Sequence, residues 1–436
     1  MKQLLLLLFR ILLLVLIVGI PLYLWWRTSF YPEAFVGMTN ITRSLGQIAG
    51  LVGATLLTLN FILAARFRIV EMIMGGLNRI YVVHHYVGAA ALIALLFHPV
   101  LLMVQYLVIS VEAAARFLLP PTAELAIWFG ISALVVMTIL LIITFYFRIE
   151  YQKWKLSHKL LGVTLMLTFF HVLLISGDLD TNTTQRTYLL ITLSLGLVAY
   201  FYRSVFNRFL VRRVEHTVKD VISRGSDIME ISFTPTKRSL TYEPGQFLFM
   251  KLYSRGVSSE EHPFSISSSK KSPQLSVAAK SLGDYTETLK LLKPQSKVLI
   301  EGPFGHFLFT NTGNNKQIWI AGGIGITPFL SMARSLTPEM PFDVTLFYTI
   351  SSVDEAVYRT ELEEIDKRIE RFRVIVHPSK EKGRLTAQII AEAVPDYLKR
   401  DIFLCGPPPM MASLRQQLRA LKVKNHRIHS EEFNLY

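Results

Sequence analysis

HHYVGAAALIALLFH at residues 84–98 and HKLLGVTLMLTFFH at residues 158–171 are the stretches on which the reading of this chain turns. Both are apolar enough for a membrane helix, yet both carry histidine at each end, and histidine in hydrocarbon is costly and marks function. Five of the eleven histidines, His84, His85, His98, His158 and His171, fall in or beside these two segments. A lone intramembrane histidine reads equally well as a hydrogen-bonded helix contact; two helices with such pairs read as ligation. At 1.5 Å per residue, fourteen residues separate two ligands by about 21 Å, which stacks one haem near each leaflet. Neutral imidazole is a suitable ligand for haem iron. The segments run parallel, which pairs His84 with His158 and His98 with His171. His85 is the alternative to His84. His84 is preferred because HHYVG then aligns with HKLLG, placing Gly88 and Gly162 where a missing side chain leaves room for a flat macrocycle. Thirteen steps of about 100° do not return to the starting face, so the helix from His158 to His171 is expected to be locally irregular.

Working outward, six segments reach the roughly 20 apolar residues needed to cross a hydrocarbon core. They lie near Leu4 to Trp26, Ser44 to Phe67, Ile80 to Leu107, Glu124 to Phe147, Leu156 to Ser176 and Tyr188 to Phe206. The first reads as a retained helix, since its apolar stretch exceeds a signal h-region and no small-residue cleavage site follows. Arg66, Arg68 and Arg79, then Arg148, Lys153 and Lys155, then Arg203, Arg208, Arg212 and Arg213 mark the cytoplasmic loops. The loops around Tyr31 to Thr42, Glu112 to Thr122 and Gly177 to Thr187 face outward, and two of them hold the glycosylation-type triplets at Asn40 and Asn182.

The chain has 436 residues, 51% hydrophobic and 18% charged, with the apolar excess confined to its first half. A formal charge of +14 fits membrane topology, because no basic run interleaved with exposed aromatics points to nucleic acid. One cysteine, Cys405, excludes an intrachain disulfide framework, a Cys-ligated iron–sulfur cluster and a thiolate zinc site.

Beyond the sixth span, EHTVKDVISRGSDIMEISFTP and YEPGQFLFMKL alternate like strands, a β-barrel signal. HPFSISSS at His262 to Ser269, KSLGDYTETL at Lys280 to Leu289 and EGPFG at Glu301 to Gly305 follow. QIWIAGGIGITPFL is an apolar strand, a glycine turn and a helix with Pro328 in its first turn, a phosphate-binding arrangement without the dinucleotide fingerprint GxGxxG. LCGPPPMM and the terminal EEFNLY complete the series.

In this order and spacing the motifs closely resemble the ferredoxin-reductase superfamily, in its ferric reductase and NADPH oxidase branch, over nearly the whole chain. The resemblance implies isoalloxazine and ribityl contacts from His262, Pro263, Phe264 and Ser265, with Ile266 and Ser267 adjoining. It places the flavin pyrophosphate near Lys280, Gly283, Asp284, Tyr285 and Thr286. It assigns the nucleotide pyrophosphate to Gly322, Gly323, Gly325, Thr327 and Pro328. Cys405, Gly406 and Pro407 border the hydride path, and Phe433, or Tyr436, stacks over the flavin. Ser351, Arg359 and Arg384 suit an adenosine 2′-phosphate, favouring NADPH over NADH, although Arg359 has a helix-face carboxylate as an alternative partner.

The expected architecture is a six-helix transmembrane bundle (1–206), an antiparallel β-barrel FAD domain (207–312) and an α/β parallel-sheet NAD(P)-binding domain (313–436). A hydride donates two electrons and haem iron accepts one, so FAD is the converter and two b-type haems the wire. The expected activity is electron transfer from cytosolic NAD(P)H across the cell membrane to Fe(III), Cu(II) or O2. Ferric reductase is favoured over superoxide-generating oxidase, because Leu102 and Met103 stand where oxidases carry another histidine. No obligatory protein partner is implied, and the compact cytosolic half reads as a constitutively active bacterial enzyme. A nucleotide-gated six-helix transporter would explain the topology but neither the histidine spacing nor the flavin motifs.

Overall fold

The computed structural model describes residues 2–29, 34–119, 124–147, 149–176 and 182–431. Phe433, Tyr436, Arg148 and parts of the outward loops lie outside these. The chain forms two compact units, Met1–Val211 and Arg212–Tyr436.

In the first unit, α1 is Lys2–Ser29, with Pro21 inside it. Among the described residues, five helices are long and apolar enough to cross a membrane: α2 Met38–Ala64, α3 Leu77–Leu107, α4 Leu125–Tyr146, α5 Tyr151–Leu174 and α6 Thr183–Val205. All but α4 begin three to six residues before the expected apolar stretch, since backbone hydrogen bonding continues into polar N-terminal turns that hydropathy does not register, and α4 lies within its own. A stripe of small residues explains the packing of α2 on α3. A Cβ on Gly46 would lie 2.8 Å from Leu102, one on Gly50 2.6 Å from the His98 ring, and one on Gly53 2.7 Å from Leu95. Small residues at helical spacing let membrane helices approach closely where no hydrophobic force draws them together.

The α5 helix is irregular, as thirteen-residue spacing required. Its regular part stops at Lys159, Leu160 forms a turn, and helix resumes at Leu161. The α6 helix starts on a side-chain cap, with Asn182 accepting from the Gln185 N–H at 3.1 Å, and ends in a π-turn at Phe201–Val205. Asn182 is therefore a buried cap, 6% exposed, and not the open glycan acceptor its triplet suggested.

The second unit holds two sheets. β1 Val214–Arg224, β2 Ile228–Pro235, β3 Phe247–Tyr253, β4 Glu261–Ser265, β5 Leu275–Lys280 and β6 Lys297–Phe304 form an antiparallel sheet in the order β4-β3-β6-β1-β2-β5. A single bridge between Ile266 and Val277 links the chain just beyond edge strand β4 to the other edge, β5. β7 Lys316–Gly322, β8 Asp343–Ile350, β9 Phe372–Pro378, β10 Asp401–Cys405 and β11 Ile428–Ser430 form a parallel sheet in the order β11-β10-β7-β8-β9. Its strands are continuous apolar runs because helices cover both faces. The helices that matter to the site are α7 Asp284–Thr288, α8 Thr327–Ser335, α9 Arg359–Arg368, α10 Ala387–Ala393 and α11 Pro408–Ala420.

Candidate functional site

The membrane unit brings the predicted histidines together in pairs. The rings of His84 on α3 and His158 on α5 have centroids 6.1 Å apart. His98 and His171 line one cavity, with Leu51, Ala54, Leu95, Val172 and Leu189 as apolar walls and Trp25, Gln47 and Gln185 among its polar ones. His85 is exposed and bonds the Tyr81 carbonyl of its own helix at 2.7 Å, which separates it from His84.

Ring orientation is fixed by a repeated device. His98 Nδ1 donates to the Gly46 carbonyl at 2.8 Å and lies against Gly50, one turn further along α2. His171 Nδ1 donates to the Ala126 carbonyl at 2.8 Å and lies against Gly130, one turn further along α4. His84 Nδ1 donates to the Asn60 carbonyl at 3.2 Å. A carbonyl only accepts, so in all three rings Nδ1 carries the proton and Nε2 keeps its lone pair. The glycines at positions 46, 50 and 130 escaped the motif reading, and their signal was small residues repeating at helical spacing. Gly88 and Gly162 play a different part from the one expected: Gly88 faces the Asn60 amide, and the Tyr200 ring fills the space beside Gly162.

In the second unit, β4 presents EHPFS on the edge of the antiparallel sheet. The His262 ring stacks on Tyr285 of α7 at 3.8 Å and its Nε2 meets the Glu260 carboxylate at 2.9 Å. Phe264, Ser265, Ile266 and Ser267 are buried beside it. Burial and then Glu260 push the Tyr285 hydroxyl above its ordinary range, so it stays protonated. The Thr286 hydroxyl accepts from the N–H groups of Leu282 and Gly283 at 2.9 and 3.1 Å, and Asp284 accepts from the Tyr285 N–H at 2.7 Å. The amides expected to face a phosphate thus have partners within the loop. Lys280 pairs with Asp227 at 3.1 Å.

The parallel sheet reverses its strand order between β7 and β10, and ligands of such sheets bind at the carboxyl ends beside that switch point. Gly322, Gly323 and Gly325 follow β7 there, while Cys405, Gly406 and Pro407 close β10. The two turns interlock: a Cβ on Gly325 would strike the Cys405 carbonyl oxygen, and one on Gly406 would lie 2.9 Å from the Gly322 Cα. Thr327 and Pro328 open α8, with the Thr327 hydroxyl donating to the Ile324 carbonyl at 2.7 Å. Ser351 and Arg384 follow β8 and β9 on this same edge of the sheet. Arg359 instead donates to Glu363 at 2.6 Å, the helix-face pairing. The Cys405 thiol is fully buried, and burial, reinforced by Glu431, pushes it well above the usual thiol range. Glu431 is a buried carboxylate whose Oε1 lies 2.9 Å from where a Gly305 Cβ would stand, so it joins the carboxyl ends of β6 and β10. No motif announced it.

Comparison with known proteins defines the class. A ferric reductase like transmembrane component matches residues 49–169, an FAD-binding domain 213–307 and an oxidoreductase NAD-binding domain 319–416. Three such domains in one chain are the fused ferric reductase/NADPH oxidase architecture. Among individual relatives, the glycine betaine monooxygenase reductase subunit of Chromohalobacter salexigens is 30% identical over 44% of this chain and 56% of its own length. The ferredoxin reductase component of the Mycobacterium tuberculosis 3-ketosteroid-9-alpha-monooxygenase is 32% identical over 48% and 58%. The chain thus spans little more than half of these reductases. Among solved structures, a flavohemoglobin from Malassezia yamatoensis aligns at 17% identity and a TM-score of 0.49, over 81% of this chain and 98% of that one.

Proposed function

We propose that this protein carries electrons from cytosolic NAD(P)H through FAD and two b-type haems to an acceptor on the far side of the membrane, with α1 as a sixth span. The observation that carries the reading is the His84–His158 pair. The two rings lie 6.1 Å apart, close enough that one iron between them would be held by both imidazoles. The donor set fits as well, with Nδ1 protons committed to carbonyls at His84, His98 and His171.

Bound FAD supplies the conversion of a two-electron hydride into single electrons, which haem iron carries one at a time. The chain's residues do the rest. The interlocked turns at Gly325 and Cys405 seat the nicotinamide half of the nucleotide, and the α8 terminus with Gly323 takes its pyrophosphate. Ser351 and Arg384 take an adenosine 2′-phosphate, so NADPH is the preferred donor. Residues 262–267 hold the flavin, and the buried Cys405 thiol and Glu431 carboxylate exclude water from the hydride path. The three functional segments are 1–206, 207–312 and 313–436, with the latter two cytoplasmic.

The acceptor favoured is a ferric chelate. The turn beyond His98 carries Leu102, which packs on Gly46, so an apolar side chain stands where an oxygen-handling site needs a polar one. A dithionite-minus-oxidised spectrum of detergent-purified protein, repeated with NADPH and FAD, tests the chain of carriers. A paired b-type signal under both reductants supports it, and absence of a reducible Soret band overturns it. Fe(III) reduction without superoxide then separates metalloreductase from oxidase.

A further inference from the structure

We propose that Trp154 is the positioning residue for His158, which makes the inner histidine pair the one with the weaker axial ligand. The inference rests on the two-haem reading above. Among the four paired histidines, His98, His171 and His84 each anchor Nδ1 on a backbone carbonyl of a neighbouring helix. His158 does not: its Nδ1 is buried without a hydrogen-bond partner among the described residues. Its ring lies instead face to face with Trp154, centroids 5.3 Å apart and planes 12° from parallel. Trp154 in turn stacks on Tyr151 at 5.7 Å and 22°, and the Lys155 ammonium sits 5.5 Å from the Tyr151 ring. Positions 151, 154 and 158 fall on one face of α5, so the three rings form a short ladder along it.

A metal-bound imidazole usually donates its second N–H, which sets the tautomer, holds the ring plane and raises the basicity of the ligating nitrogen. At His158 the ladder supplies the plane, and no described residue supplies the basicity. A less basic ligand would stabilise ferric iron less, which would set the inner site apart from the outer one in its low-spin signal. The break of α5 at Leu160 supports the assignment, because it sets the direction of His158 independently of His171.

The test uses full-length protein in detergent, as wild type, Trp154→Phe and Trp154→Leu, with haem content and the low-spin electron paramagnetic resonance signals as readouts. Trp154→Leu is expected either to halve the haem content or to move one of two low-spin signals, leaving the other signal and the FAD content in place. Trp154→Phe keeps a stacking ring and retains both haems with both signals. The proposal is overturned if Trp154→Leu keeps both haems with both signals unmoved, or if both signals shift together. Wild-type protein lacking two haems overturns the two-haem reading itself and this inference with it.

Discussion

The guanidinium of Arg334 on α8 donates through Nη1 to Glu230 Oε1 on β2 at 3.0 Å, tying the NAD-binding sheet to the FAD-binding sheet. The same group forks onto Glu361 at 2.6 and 2.9 Å and reaches the Ser267 carbonyl at 3.0 Å. Burial disfavours its charge, but Glu361 and Glu230 outweigh burial and hold it protonated beyond its ordinary range. Ser267 belongs to the flavin motif, so this clamp sets where the nicotinamide side meets the flavin side.

Arg334→Ala leaves the Glu230 carboxylate with Arg224 as its remaining cation at 2.9 Å and is expected to cost about 2 kcal/mol, less than a buried pair broken outright, because Glu230 stays paired and Glu361 is one-third exposed. Arg334→Lys keeps the charge, loses the fork, and costs less. The temperature at which flavin fluorescence is released reads both. An unchanged midpoint in the alanine variant would show that the seam is held by its apolar contacts alone.

Removing His84, His158, His98 or His171 by alanine substitution is expected to leave one haem per chain, whereas His85→Ala leaves two. Pyridine haemochromogen content counts them. Loss of a haem in His85→Ala with retention in His84→Ala would transfer the inner ligand to the neighbouring position.

At the switch point, Gly325→Ala drives a Cβ into the Cys405 carbonyl, which is backbone and cannot step aside. The expected result is a roughly tenfold rise in KM for NADPH, about 1.4 kcal/mol of lost binding, measured with a soluble dye as acceptor so that the haems play no part. A variant with wild-type KM would remove the β7 and β10 turns from the nucleotide site.

The Cys405 thiol has a folded-state value raised above its unfolded one, so it stays protonated at neutral pH and iodoacetamide at pH 8 should leave the native protein unlabelled. The sign of the linkage follows. Wild-type stability falls relative to Cys405→Ala as pH rises past about 8.5, where the unfolded thiol ionises and the folded one does not. Rapid alkylation of native protein would show that Cys405 is reached by solvent and is not sealed beneath the nucleotide turn.

Five spans, the histidine pairs, the irregular fifth helix and the two-sheet second unit were legible because each depends on quantities summed along the chain: hydropathy over a window, angle per residue, and the order of strand and turn motifs. The roles of Gly88 and Gly162 were misread because a glycine states only that a side chain is missing, and Asn60 and Tyr200, distant in sequence, decide what fills the space. Asn182 looked like a glycan acceptor until the start of α6 turned its side chain inward as a cap.

The sequence by itself determined which residue types stand where, and so the class of chemistry: imidazoles at membrane depth, glycine turns at strand ends, one cysteine. The tertiary structure alone decided how they are held. His98 finds its carbonyl 52 residues away and His171 45 residues away, while Arg334 finds Glu230 across 104. A hydrogen bond needs its partners within about 3 Å and aligned, and only the packed chain brings residues so far apart to that distance.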